Sequence, residues 1–132
     1  MTDLLFVYGT LLPGQQRWTH LQPNVVDQGV AVCVKGGLYD TGHGYPAAVF
    51  WEFNTVHGRV FRLLPERAEQ TLIDLDHVER TADAYYARVR VDTDAGQAWA
   101  YEYGGPLLFQ AISSGSWLDH VTAPQPPAAT SS

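Results

Sequence analysis

A chain of 132 residues is long enough for one folded unit that buries roughly two thirds of its unfolded surface. With 8 basic against 14 acidic residues, a formal charge of −6 and Lys35 as its one lysine, it carries no field that gathers phosphates, which argues against nucleic acid and anionic membrane as partners. The lone Cys33 excludes an internal disulfide, and there is neither a basic leader nor an 18-residue apolar stretch, so a reducing, cytoplasmic setting is expected.

The first element is the apolar run Leu4-Leu5-Phe6-Val7-Tyr8 closed by Gly9-Thr10-Leu11, which reads as a strand buried on both faces and ended by a turn. Gly9 permits a bend where a Cβ would clash, and it leaves the amides of Gly9 to Leu11 able to face an oxygen of a bound molecule. A short helical turn is expected near Arg17 to Leu21. The valine-rich segment from Val25 to Leu38, interrupted by Gly29 and Gly36-Gly37, suits a long bent strand or a strand pair, with Cys33 packed inside as a small hydrophobe. Ala47 to Phe53 and Val56 to Leu64 are expected to pair as strands across an Asn54-Thr55 turn. Pro65 suits the first position of a helix, and Ala68, Leu72 and Leu75 place one apolar stripe along a helix from about Pro65 to Val78.

Ala84 to Val91 and Gln97 to Tyr103 form the clearest hairpin, around Asp92-Thr93-Asp94-Ala95-Gly96. In the second of these strands Gln97, Trp99, Tyr101 and Tyr103 share one face and Ala98 and Ala100 the other, so the large aromatic side is either ordinary core or the wall of a cavity. Regularity fades after Gly104-Gly105-Pro106. Residues 1–121 are expected to form one domain and 122–132 a disordered tail of proline and small residues. Several strands with one convincing helix and a short helical turn point to an α+β domain whose sheet curls into a barrel.

The chemically pointed residue is Glu79. Continuing the stripe from Leu75 by four positions lands on it, so a helix that keeps its register turns this carboxyl toward the interior. Burial costs a charged carboxylate dearly, and with Asp74 and Asp76 nearby as like charges the proton is expected to be held more tightly than usual, toward the range where one carboxyl serves as both acid and base. The structural alternatives are a helix that ends before Glu79, or an ion pair with Arg80 or Arg88.

The ordered set Phe6-Val7-Tyr8-Gly9-Thr10-Leu11, Gly44-Tyr45-Pro46-Ala47, Val56-His57-Gly58-Arg59-Val60-Phe61, Leu75-Asp76-His77-Val78-Glu79, Tyr86-Ala87-Arg88-Val89-Arg90-Val91 and Ala98-Trp99-Ala100-Tyr101-Glu102-Tyr103 resembles the γ-glutamylcyclotransferase superfamily, most of all its γ-glutamylamine cyclotransferase branch. The resemblance implies a small mixed β-barrel flanked by one main helix and short helices, and an enzyme without cofactor or metal that cyclises the γ-glutamyl group of a small γ-glutamyl amine or amide to 5-oxoproline and releases the amine. It assigns Glu79 as acid and base and the opening-loop residues Tyr8, Gly9, Thr10 and Leu11 to substrate binding; Tyr86 and Tyr101, on the hairpin strands, are further substrate-binding candidates. It leaves the oligomeric state open. Two departures stand out: Arg80-Thr81-Ala82-Asp83 follows the glutamate where the family often has glycine, and Thr10-Leu11 replaces the serine-asparagine of the glutathione-acting branch.

Three rival readings exist. Asp40-Thr41-Gly42 matches an aspartic-protease triplet but is followed by His43 where such sites carry a small residue, and a plain turn explains it. Gly42-His43-Gly44 lacks the Gly-Lys-Ser ending of a phosphate loop. The third is a non-catalytic protein on the same barrel that binds a small metabolite against Trp99 and Tyr101, with Glu79 a passive charge.

Overall fold

Strand β1 (Leu4–Val7) lies at the centre of a five-stranded sheet, and this explains why it has no polar face. Leu5 and Val7 enter one apolar cluster, Phe6 and Tyr8 the other, one on each side of the sheet. The structure is a computed structural model that describes residues 3–122. Chain order continues with a short helix α1 (Trp18–Leu21), strands β2 (Val30–Lys35), β3 (Gly37–Asp40), β4 (Pro46–Val49) and β5 (Thr55–Arg62), helix α2 (Ala68–Ala82), the hairpin β6 (Tyr86–Thr93) and β7 (Gly96–Tyr103), a two-residue β8 (Gln110–Ala111) and helix α3 (Trp117–Thr122).

The large sheet has the order β2-β5-β1-β7-β6, antiparallel except for the parallel β1–β7 pair, and a small sheet has the order β4-β3-β8. The expected closed barrel is not formed. The large sheet curls until Cα atoms of its edge strands β2 and β6 come within 8 Å of one another, but no hydrogen-bonded ladder joins them. A second correction follows from Gly36, where the chain leaves the large sheet after β2 and enters the small one as β3. Strand β4 therefore pairs with β3, with Leu38 opposite Ala48, and the expected hairpin between the 47–53 and 56–64 segments is absent. Ala47 and Ala48 are both fully buried, one in each cluster, so nothing in that run marks a partner. Cys33 is exposed rather than packed, its Sγ lying 3.2 Å from His57 Nδ1 across the β2–β5 pair.

The β6–β7 hairpin is longer than expected: Tyr86 stands opposite Tyr103 and Thr93 opposite Gly96, whose φ of +121° a side chain would resist. The face alternation holds, with Tyr101 and Tyr103 in the first cluster and Ala98 and Ala100 in the second. The segment after Gly105 is less irregular than the sequence suggests, because β8 joins β3 and the indole of Trp117 anchors α3 in the second cluster. Thr122 ends that helix, and the remainder of the expected disordered tail lies outside the described residues. Among the described residues no helix is long and apolar enough to cross a membrane.

Helix α2 positions the candidate site. Pro65 opens a 3-10 turn at Pro65–Arg67, and the α-helix proper begins at Ala68 and runs through Ala82, past the expected end. Ala68, Leu72, Leu75 and Glu79 are all buried, so the apolar stripe against the sheet ends on an acid.

Candidate active site

Glu79 is 9% exposed, and it faces a small cavity of about 20 Å³ between α2, the end of β1 and the aromatic side of β7. Tyr8, Gly9, Thr10, Leu11, Tyr86 and Tyr101 all line this cavity with it. Residues from three separate stretches of sequence thus converge on one carboxyl. Burial pushes that carboxyl up from 4.5 to about 7, with the Arg17 guanidinium pulling the other way. The acidic neighbours do not set this value: Asp76 is paired bidentately with Arg88, at 2.8 and 3.1 Å, and this is also why Arg88 is not the partner of Glu79.

Among the described residues no side chain gives Glu79 a hydrogen bond, although four phenols surround or border the cavity. Each phenol donates elsewhere. The hydroxyl of Tyr8 donates to the carbonyl of Tyr101, that of Tyr86 to the carbonyl of Pro46, that of Tyr101 to Asp76 Oδ1 at 2.8 Å, and that of Tyr45 to Asp83 Oδ2 at 2.9 Å. Burial raises Tyr8, Tyr86 and Tyr101 well above the ordinary tyrosine value, and burial together with the bond to Asp83 pushes Tyr45 up to about 12. All four stay neutral across the physiological range. A carboxyl this far buried, with no side-chain hydrogen bond, carries a desolvation cost that a use at this cavity would explain.

The opening loop supplies the complementary donors. The carbonyl of Gly9 accepts from Leu12 N–H and that of Thr10 from Arg17 N–H, which fixes the loop. Among the described residues no acceptor receives the N–H of Gly9, Thr10 or Leu11, although all three residues are buried. Such a run of open amides is a concavity for a carboxylate or an oxyanion. At Gly9 the expected clash is present: a Cβ there would lie 2.6 Å from Pro46 Cγ. The close approach is that of a proline ring which also lines the cavity.

Sequence reasoning missed five lining residues: Phe6 and Val7 of the opening strand, and Arg17, Tyr45 and Pro46. Arg17 donates to Thr10 Oγ1 at 2.7 Å and lies 5.7 Å from the centre of the Tyr45 ring, so it braces the loop and brings the cavity its one cation. Tyr45 ends the glycine-rich turn before β4 and Pro46 opens that strand, and the Gly44-Tyr45-Pro46 run quoted for the family resemblance was the available signal. Asp40, within the protease-like triplet, serves a turn: it accepts from Gly42 N–H at 2.8 Å and pairs with His120 Nε2 at 2.7 Å. A broader groove lined by Leu12, Trp18, His57, Arg59 and Trp117 opens elsewhere, but its acid, Asp27, is exposed and offers no desolvated carboxyl. Among the described residues no three His, Cys, Asp or Glu side chains converge to hold a metal ion.

The family model described as "Gamma-glutamyl cyclotransferase, AIG2-like" matches residues 5–119. The gamma-glutamylcyclotransferase family protein ytfP of Citrobacter rodentium is 39% identical over 116 residues, covering 87% of this chain and 95% of that protein. The solution structure of ytfP from Escherichia coli superposes with a TM-score of 0.67 at 36% identity, covering 90% of this chain and 99% of that one. An AIG2-like protein of Mus musculus shares the fold, with a TM-score of 0.57 at 20% identity over 84% of this chain and 86% of that one.

Proposed function

This chain belongs to the AIG2-like gamma-glutamyl cyclotransferase family, and on that premise we propose that it cyclises the γ-glutamyl group of a small γ-glutamyl amine or amide to 5-oxoproline, releasing the amine, with Glu79 as both base and acid. The observation that carries this reading is the buried, unpartnered Glu79 carboxyl facing the open amides of the first loop.

A γ-glutamyl compound brings its own nucleophile. Glu79 takes a proton from the α-ammonium, the freed amine attacks the γ-carbonyl carbon, and a five-membered ring closes through a tetrahedral intermediate. Glu79 then returns the proton to the leaving nitrogen as its bond to that carbon breaks, and the carboxylate so regenerated takes the second proton from the ring nitrogen, leaving the neutral lactam N–H. A carboxyl that holds its proton to about pH 7 is suited to both transfers. The amides of Gly9 to Leu11 and the Arg17 guanidinium supply donors and positive charge for the α-carboxylate or the developing oxyanion, while Tyr86 and Tyr101 wall the site with rings that stay neutral.

The test is a panel of γ-glutamyl amines, γ-glutamyl dipeptides and glutathione, assayed for 5-oxoproline. Release from one or more of the amines, with glutathione a poor substrate, is expected. Tight binding without any 5-oxoproline would instead favour a metabolite-binding protein. A second expectation concerns Gly9→Val. The added side chain collides with Pro46, so it should cost about 1–3 kcal/mol of stability and raise the Michaelis constant together. A variant that melts lower yet keeps the parent's Michaelis constant would detach Pro46 from the substrate site.

A further inference from the structure

We propose that Asp76 is a positioning residue that holds the Tyr101 hydroxyl away from Glu79 and so keeps the Glu79 carboxylate open to substrate. The role rests on the reading of Glu79 as acid and base. Asp76 and Glu79 are three residues apart on α2 and therefore neighbours on one helix face. They compete for the same donor. Tyr101 lines the Glu79 cavity, yet its hydroxyl lies 2.8 Å from Asp76 Oδ1. Its backbone is held as well, since the Tyr101 carbonyl accepts from the Tyr8 hydroxyl.

Asp76 is in turn fixed by Arg88, whose Nε donates to the same Oδ1 at 2.8 Å and whose second nitrogen donates to Oδ2 at 3.1 Å. Arg88 lies 4.4 Å from the centre of the Trp99 ring, so its planar head is held between an indole and a carboxylate. The chain Trp99–Arg88–Asp76–Tyr101 thus ends on the phenol beside Glu79. The groups facing the Glu79 cavity from the other elements are Tyr8 just after β1, Arg17 before α1, Tyr45 before β4 and Tyr86 on β6. Two of the buried phenols, Tyr8 and Tyr86, donate to backbone carbonyls that a side-chain change cannot remove, and Tyr45 donates to Asp83, which lies just beyond the end of α2. Only the Tyr101 hydroxyl depends on a replaceable side chain of the same helix face.

If Asp76 is removed, the Tyr101 hydroxyl finds Glu79 as its next acceptor. A hydrogen bond to the ionised form favours ionisation, so Glu79 should give up its proton at lower pH. The experiment is a carbon NMR titration of the Glu79 side-chain carboxyl in the full chain without substrate, assigned by its loss in Glu79→Gln. Asp76→Ala is expected to lower the midpoint by roughly one pH unit, a tenfold change in proton affinity. Asp76→Asn keeps an Oδ1 acceptor for both Tyr101 and Arg88 and should stay close to the parent. Tyr101→Phe alone should leave the midpoint in place, and combined with Asp76→Ala it should abolish the fall. An unchanged midpoint in Asp76→Ala overturns the proposal. So does an equal fall in Asp76→Ala that carries Tyr101→Phe, which would implicate the freed Arg88, and so does a raised midpoint in Tyr101→Phe alone. Because the titration needs no turnover, its outcome is separate from that of the 5-oxoproline assay.

Discussion

Replacing Glu79 with glutamine is expected to reduce 5-oxoproline release by at least about 100-fold while leaving the fold and substrate affinity near those of the parent. General acid and base catalysis contributes about 10²- to 10⁴-fold, and here one carboxyl is asked to take a proton and to return it. Glutamine has nearly the same volume and fits the same cavity, but its amide cannot accept the proton of the α-ammonium. No neighbour can substitute. The phenols are held neutral by burial and donate elsewhere, and Asp76 is committed to Arg88 and Tyr101. Steady-state turnover of the best amine in the panel, with binding followed by calorimetry, gives both quantities. A rate within threefold of the parent would remove Glu79 from the chemistry.

The same variant should be more stable than the parent, and by an amount that depends on pH. In the folded protein burial raises the Glu79 carboxyl from 4.5 to about 7. Below about 4.5 both folded and unfolded chains hold the proton, and the carboxyl carries no penalty. As pH rises, the unfolded chain loses the proton first, so ionisation pulls the equilibrium toward unfolding until the folded form also ionises near 7. Above that the full penalty, about 3 kcal/mol, is present. Glu79→Gln escapes it. Urea unfolding should therefore show the variant about 3 kcal/mol more stable at pH 8 and nearly equal to the parent at pH 4. Equal stabilities at both pH values would mean that the carboxyl is solvated and its proton affinity ordinary.

The carboxyl was legible in sequence because helical spacing is rigid. Ala68, Leu72 and Leu75 define a stripe, and Glu79 is the next position on it whatever the helix packs against. The opening strand was legible for a similar reason, since a run without any polar alternation has to be covered on both faces. What failed was pairing. Ala47-Ala48-Val49 is apolar at every position, so no alternation tells which strand lies beside it, and the switch of sheets at Gly36 depends on the whole curl of the large sheet. The same curl decides whether the edges β2 and β6 join, which a strand count cannot tell. Cys33 misled because a valine-rich run was taken as buried throughout, whereas β2 is an edge strand whose alternate residues face solvent. Arg17 and Tyr45 were missed because each reaches the site from an irregular turn, where no periodicity indicates a side chain's direction.

The dependence of kcat/KM on pH, followed by 5-oxoproline release from the best γ-glutamyl amine, bears most directly on Glu79 as a buried base. The expected profile rises through an acid limb with its midpoint near 7, where the free protein's Glu79 ionises, and Glu79→Gln abolishes that limb along with the activity. A limb near 4.5, the value of a solvated carboxylate, or a flat profile across this range would contradict the assignment of Glu79 as the base.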